Sequence, residues 1–367
     1  MNKSMKILLI ILAVIMVIAI VGIIILNHPC FGRRTSKERK ARIEASPNYR
    51  DGQFQNQIPT PQFTGDKSMF RALWDFLTDS RKDRTPKEAV PAVKTDLKAL
   101  GAGPSTLGGS SGTAGSGTGQ DWLVWFGHSS YLFCLDGKRY LVDPVLKMEV
   151  PVTVMMHPFK GTDIYSPDDM PEIDVLIVTH EHWDHLDYAT LRDLKGKVKH
   201  VVCPLGVAEY LEYWGYVPQH ITEMDWYEKA DNITCLPTRH FSNRLFKRNQ
   251  TLWASFMVES GGRKVYVGGD GGYDGRFKEI YDRFGSVDLA LMENGQYNKD
   301  WANIHLMPAD LEQAILDLHP KQVFTVHHDK FSLAPHAWTE PDSVAHDIAE
   351  RNAIRLLDQP IGTVVYF

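Results

Sequence analysis

The chain carries a dense cluster of metal-binding residue types directly after a predicted strand. His180, His182, Asp184 and His185 lie within six residues and follow the strand-like run at 174–178. A strand that ends in a tight loop brings such side chains to one point at the edge of a sheet. Imidazole and carboxylate groups suit zinc and neighbouring divalent metals, and four donors exceed what one open tetrahedral site needs. The cluster therefore predicts two metal ions.

Three further residues occupy the same position relative to other predicted strands. His240, Asp270 and His327 each lie just past an apolar run. Considered alone, either histidine could be structural, and the aspartate beside glycines could be a turn residue. Their shared placement indicates that they complete the two sites. The seven candidate metal ligands are His180, His182, Asp184, His185, His240, Asp270 and His327.

From residue 121 onward, short β-rich runs alternate with helical stretches, and no internal repeat is evident. This order indicates an α/β fold in which two β-sheets pack together with helices outside. Strands are predicted at 123–126, 131–135, 139–142, 175–178, 200–203, 233–236, 254–259, 264–267, 289–292, 323–326 and 363–366, and helices near 207–214, 275–284, 309–318 and 343–357.

The ligand pattern resembles the metallo-β-lactamase superfamily of metal-dependent hydrolases. A closer resemblance is to the branch that contains N-acylphosphatidylethanolamine-hydrolysing phospholipase D and the ascorbate-phosphate lactonases. It rests on Trp-Phe-Gly-His-Ser-Ser at 125–130, Val-Asp-Pro at 142–144, the segment 182–187, Gly-Asp-Gly-Gly-Tyr at 269–273 and the segment 327–334. The similarity covers roughly 121–334.

The resemblance implies a four-layer αβ/βα sandwich with metals at the sheet ends. By position, His180, His182 and His240 would hold one ion, while Asp184, His185 and His327 would hold the other, with Asp270 bridging them. The implied cofactors are two Zn²⁺ ions, with Mn or Fe as alternatives. His328, next to His327, is the weaker ligand candidate.

For catalysis, we expect hydroxide generated between the metals to attack a phosphodiester, with Asp184 and Asp270 holding the metals. His305 resembles the histidine that lies against the substrate phosphate in the phospholipase, and we expect it to be catalytic and substrate-binding. His128 is predicted to line the same pocket and to bind substrate. For both histidines a purely structural role is the alternative. Asp143 and Asp187 are predicted to orient ligands.

Three functions compete. The first is a membrane-anchored dinuclear zinc hydrolase acting on phospholipids of the N-acylphosphatidylethanolamine type. The second is a lactonase or phosphoesterase of a small soluble sugar phosphate, and the third is a metal-binding scaffold without turnover. Histidine at position 182 disfavours a diiron oxygen-reducing member, and aspartate at position 270 disfavours a common zinc β-lactamase. A formal charge of −5 and a pI near 6.3 give no basic field for nucleic acid.

The N-terminal region carries a second strong signal, an unbroken run of 20 apolar residues at 7–26. Such a run is long enough to span a bilayer, and no small residues mark a cleavage site after it. We expect an uncleaved single-pass anchor in the cell membrane, with lipidation of Cys30 as the rival. Six basic residues at 33–42 outnumber Lys3 and Lys6, which predicts a cytoplasmic catalytic domain. Alternatively, these charges decorate a solvated helix or bind lipid headgroups.

These signals divide the chain into four parts: an anchor at 1–28, a basic juxtamembrane segment and arm at 29–100, a Gly/Ser-rich linker at 101–120, and the hydrolase domain at 121–367. The polar stretch 46–64 is predicted to be an extended arm, and 69–76 a short amphipathic helix. The four cysteines have no paired spacing, so no disulfide framework is expected.

Overall fold

The structure is a computed structural model that describes residues 3–33, 35–65, 83–101, 120–154, 156–244 and 247–367, together with residues 71, 74, 75 and 78. Most of the helix predicted at 69–76, and nearly all of the linker predicted at 101–120, lie outside these residues. In the described part, helix α1 (Lys3–Leu26) is the one helix long and apolar enough to cross a membrane, and none of it is buried.

Two β-sheets form the centre of the molecule. The seven-stranded sheet has the order β15-β3-β4-β5-β6-β7-β8, and the six-stranded sheet has the order β14-β13-β12-β11-β10-β9. The first consists of β3 (Trp122–Trp125), β4 (Tyr131–Leu135), β5 (Lys138–Val142), β6 (Ile173–Ile177), β7 (Val198–Pro204), β8 (Ile221–Met224) and β15 (Val364–Tyr366). The second consists of β9 (Lys229–Ala230), β10 (Ile233–Leu236), β11 (Ser255–Ser260), β12 (Arg263–Val267), β13 (Leu289–Glu293) and β14 (Val323–Val326). A separate hairpin joins β1 (Tyr49–Arg50) and β2 (Gln53–Phe54).

Alternation along the strands builds three apolar layers. Leu123 and Val267 face the core between the sheets, whereas Val124 faces a second cluster and Tyr266 a third. Successive strand residues point to opposite faces, so each sheet needs a cover on its outer side. Helices α3 (Tyr188–Leu194) and α4 (Ala208–Tyr213) cover the first sheet, and α5 (Arg276–Phe284), α6 (Pro308–Leu318) and α7 (Glu340–Asn352) cover the second. The four-layer sandwich expected from the resemblance is confirmed.

The helix predicted at 343–357 differs at both ends. It begins at Glu340 and ends at Asn352, because Ala353 adopts a left-handed conformation with φ of 53°. Leu357 then donates its amide to the carbonyl of Val323, so the chain pairs with the edge strand instead of continuing the helix. The pattern also missed α3, whose N-terminus is capped by Asp187 through a bond from Thr190.

The segment after the anchor is docked on the sandwich. In helix α2 (Lys37–Glu44), the guanidinium of Arg39 contacts Glu209 at 2.6 Å, Glu212 at 2.5 Å and Glu223 at 2.8 Å. Arg33 and Arg42 also pair with glutamates of the sandwich. Three of the six basic residues that follow the anchor therefore form ion pairs with carboxylates of the sandwich.

Cys30 lies in this docked segment with 1% of its surface exposed, and burial raises the pKa of its thiol to about 11. A thiol in that environment is a poor nucleophile, and lipid attachment there would require the segment to move. All four cysteines lie within the described residues, are buried, and form no disulfide.

Replacing Arg39 with methionine is expected to lower the free energy of unfolding by about 3 kcal/mol, the cost typical of removing one partner from a buried ion pair. The side chains of Glu209 and Glu223 are 4% and 7% exposed, so both would lose a counter-charge without gaining water, although Glu209 keeps its pair with Arg33. Denaturant unfolding of the detergent-solubilised chain measures this. Lys40→Met is the control, because Lys40 is 62% exposed and pairs with Glu44 on its own helix. Equal effects of the two substitutions would contradict the expectation.

Candidate metal centre

Three histidines converge at the ends of β6 and β10. His180 Nε2 lies 2.9 Å from His182 Nδ1, which lies 3.2 Å from His240 Nε2. Burial, the largest cause, lowers the pKa of His180 and His240 well below the usual value and that of His182 to about 4. Neutral imidazoles present lone pairs, and three lone pairs that meet at one point suit one cation.

A second group lies beside the first. Asp184 Oδ2 is 3.7 Å from His185 Nε2 and 3.6 Å from His327 Nε2. His327 directly follows β14, which is parallel to β13, while His185 ends the loop after β6. Two strand ends from different sheets therefore supply this group.

Asp270 lies between the two groups. Its Oδ2 is 3.1 Å from His327 Nε2 and 3.3 Å from His185 Nε2, and 3.9 Å from both His180 Nε2 and His240 Nε2. Burial would raise the pKa of Asp270, but His185 and His327 more than offset it and hold that pKa well below the usual value. The carboxylate is thus ionised and within reach of both groups, which is the position required of a bridging ligand.

Unsatisfied polar atoms support a metal at this place. His185 Nε2, His327 Nε2 and Asp270 Oδ1 are buried and have no hydrogen-bond partner among the described residues. Buried polar atoms normally have partners, because leaving one unsatisfied costs about 1–3 kcal/mol. Nitrogen and oxygen donors that face one another in a buried pocket are what divalent metals bind, so the residues present fit two such ions.

Neighbouring groups fix the orientation of the histidines. His185 Nδ1 donates to Asp143 Oδ2 at 2.8 Å, and His240 Nδ1 donates to the carbonyl of Ile304 at 2.8 Å. With Nδ1 protonated, each ring directs the lone pair of Nε2 into the site. Asp143 thus takes the orienting place suggested by the sequence, whereas Asp187 acts as the cap of α3.

His128 takes a different position from the one expected. Its side chain is fully buried, and its Nε2 lies 2.9 Å from Asp184 Oδ2. Burial lowers its pKa to about 3, so the ring is neutral. This placement favours a role in orienting Asp184 over the substrate contact that the sequence predicted.

His305 lies at the rim of the centre, where 13% of its side chain is exposed. Its Nδ1 donates to Glu293 Oε2 at 2.9 Å, and its ring stacks against that of His327 at 5.3 Å. Glu293 also accepts bonds from the amides of Gly271 and Leu306. Sequence reasoning missed Glu293, although its place at the end of β13 is the signal that identified the ligands.

Asn56 is a second residue that sequence reasoning missed. Its Nδ2 donates to the carbonyl of His240 at 2.7 Å, and its Oδ1 accepts from the amide of His240 at 3.2 Å and from Trp253 Nε1 at 3.1 Å. The polar arm predicted from the sequence therefore reaches the metal centre and holds the backbone of one ligand.

Replacing Asn56 with alanine is expected to weaken metal binding about tenfold, within the range typical when a group that orients a ligand is lost. Metal retained against a competing chelator measures the effect. Gln57→Ala is the matched control, since Gln57 is exposed and its side chain donates to the Tyr227 hydroxyl. Unchanged retention in Asn56→Ala would contradict the expectation.

The family follows from comparison with known proteins. Residues 138–328, just over half of the chain, match the model of the β-lactamase superfamily domain. The chain belongs to the metallo-β-lactamase superfamily. Together with the paired histidine and aspartate groups, this membership makes the chain a metal-dependent hydrolase by family.

Individual relatives add detail. An uncharacterised protein of Mycobacterium tuberculosis is 34% identical over 82% of this chain and 79% of its own length. N-acyl-phosphatidylethanolamine-hydrolyzing phospholipase D 1 of Caenorhabditis elegans is 31% identical over 49% of this chain and 55% of its own length. The diiron β-hydroxylase CmlA of Streptomyces venezuelae matches with a TM-score of 0.53 at 16% identity, over 68% of this chain and 54% of its own.

Proposed function

We propose that the chain is a membrane-anchored dinuclear zinc hydrolase that cleaves a phosphodiester bond in phospholipids of the N-acylphosphatidylethanolamine type. The assignment of the reaction rests on one observation, the position of Asp270 between two groups of buried candidate ligands. The substrate is supported by the Caenorhabditis elegans relative, whose name states this lipid as its substrate. His180, His182 and His240 would hold one ion, and Asp184, His185 and His327 the other.

The site residues suit phosphodiester hydrolysis. When bound, two divalent ions would supply hydroxide at neutral pH, by lowering the pKa of a water to about 7, and would stabilise negative charge on phosphate. Asp270 fixes the spacing of the two groups, and Asp184 is held by His128. His305 Nδ1 is hydrogen-bonded to Glu293, so Nε2 is the nitrogen left to face a phosphoryl oxygen, and it would donate to that oxygen as part of an imidazolium, in which both nitrogens donate.

Helix α1 supports a membrane substrate. Its 24 residues give a length of about 36 Å, which exceeds the roughly 30 Å of bilayer hydrocarbon. A single-pass anchor in the cell membrane would keep the catalytic domain at the surface where phospholipids lie. We place that domain on the cytoplasmic side because of the basic residues after the span.

The test uses the full-length, zinc-loaded chain reconstituted in vesicles that contain N-acylphosphatidylethanolamine, with products followed by mass spectrometry. Release of phosphatidic acid that is lost in Asp270→Ala is the expected result. A panel of sugar-phosphate lactones is assayed in parallel. Opening of a lactone with the lipid untouched would overturn the lipid assignment and support the lactonase alternative. Tight metal binding without turnover of either class would indicate a scaffold.

A further inference from the structure

The chain does not leave the membrane span as a loose tether. Two residues follow the end of α1, and residues Pro29–Phe31 then form a single 3₁₀ turn, called here the juxtamembrane turn. Trp214 Nε1 donates to the carbonyl of Pro29 at 2.9 Å, and Cys30 is buried. His28 packs edge-on against Tyr188 with ring centres 5.6 Å apart. The span is thus joined directly to helices α3 and α4 of the sandwich.

The same turn contacts the loop that carries the metal ligands. The ring of Phe31 meets the ring of Trp183 edge-on, with centres 5.2 Å apart. Trp183 lies between His182 and Asp184, one ligand of each proposed ion. Any displacement of the Trp183 ring would therefore shift the backbone of His182 and Asp184.

Arg244 connects the turn and the loop by hydrogen bonds. Its Nε donates to the carbonyl of Cys30 at 2.7 Å, and its Nη1 donates to the carbonyl of Glu181 at 2.7 Å. The planar guanidinium suits this task, since its donors leave in fixed directions toward two acceptors. Glu181 directly precedes His182, so the second bond holds the ligand loop itself.

The bonds of Arg244 to the turn and to the loop are buried among aromatic side chains. Only 4% of the residue is exposed, and the guanidinium carbon lies 4.0 Å from the ring centre of Trp183, with Tyr210 at 5.4 Å and Trp214 at 5.7 Å. Burying a charge is costly, and burial lowers the pKa of Arg244, while Tyr210, the buried carboxyl group of Glu181 and the aromatic faces offset part of that cost. A buried arginine that bonds two carbonyls, one from the turn and one from the loop, fixes their relative position.

We propose that Arg244 and Phe31 are positioning residues for the metal-binding loop 180–185, so that the membrane anchor and the metal centre form one rigid unit. Phe31 lies five positions after Leu26, which limits the distance between their Cα atoms to about 18 Å. The ligand loop is then held at a fixed, short distance from the bilayer surface. This coupling is independent of the substrate and holds whether or not the lipid assignment is correct.

The test measures metal binding in the full-length, detergent-solubilised chain, without using turnover. Arg244→Met, Arg244→Lys and Phe31→Ala are equilibrated with zinc against a competing chelator, and the visible spectra of their cobalt-loaded forms are recorded. Ile280→Ala is the control for general destabilisation, because Ile280 is buried in the apolar cluster of the other sheet. Thermal unfolding of every variant is measured in parallel.

We expect Arg244→Met to weaken metal affinity about tenfold or more and to alter the cobalt spectrum. Arg244→Lys should recover part of the affinity because it keeps the charge. Phe31→Ala should weaken binding severalfold although Phe31 is not itself a proposed ligand. Wild-type affinity and spectra in Arg244→Met and Phe31→Ala would overturn the proposal. It would also be overturned if Ile280→Ala, at an equal fall in melting temperature, lost metal to the same extent.

Discussion

Replacing Asp270 with alanine is expected to lower the rate of hydrolysis by about 10³-fold or more. The carboxylate lies 3.1–3.9 Å from a nitrogen on each of four histidines, two from each ligand group. Alanine at this position would therefore remove the one proposed ligand that the two metal sites share. Two-metal activation contributes several kcal/mol of transition-state stabilisation, and about 4 kcal/mol corresponds to a thousandfold in rate.

Two controls isolate the role of the charge. Asp270→Asn keeps the size of the side chain and should be nearly as inactive, because the amide is a poor bridging ligand. Asp282→Asn, on α5, removes a carboxylate that is 57% exposed and pairs with Lys278, and it should keep activity within about threefold. Initial rates on a water-soluble phosphodiester measure all three. Retention of a tenth or more of wild-type activity in Asp270→Ala would argue against a bridging role.

Removing the metals with a chelator is expected to abolish hydrolysis and to lower the stability of the sandwich. A ligand present at 1,000 times its dissociation constant stabilises the folded state by about 4 kcal/mol, and each bound ion contributes in this way. Stripping should also leave buried donors such as His185 Nε2 and His327 Nε2 without partners. Calorimetry of the chain before and after treatment measures the change in melting temperature.

Reloading provides the control for metal removal. Adding zinc to the stripped chain should restore both activity and melting temperature, while calcium, which prefers more oxygen ligands, should restore neither. Full activity in the presence of excess chelator, with metal content verified as zero, would contradict a metal-dependent reaction.

The clustering of the candidate ligands was predictable because its signal is local. His180, His182, Asp184 and His185 lie within six positions. His240, Asp270 and His327 each follow a buried strand, so the sheet architecture brings all seven residues together. The packing of two sheets with outer helices also followed from periodicity. The assignment of the candidate ligands to particular ions remains a prediction.

The supporting residues were not predictable because their contacts join distant parts of the chain. Asn56 meets His240 across 184 positions, and Arg244 meets Cys30 across 214. No spacing or composition marks such pairs. The same limit explains Arg39, which reads as one more basic residue beside a membrane until its three glutamates are seen in space.

The most direct test of the account is the number of metal ions bound per chain, measured by elemental analysis of the purified full-length protein after saturation with zinc and removal of free metal. We predict two ions in the wild-type chain and one in each of His240→Ala and His327→Ala, because these substitutions remove a ligand from opposite groups. Thermal unfolding confirms that each variant is folded. A wild-type chain that saturates at one ion, with both variants binding none, would show a single mononuclear site and contradict the dinuclear centre.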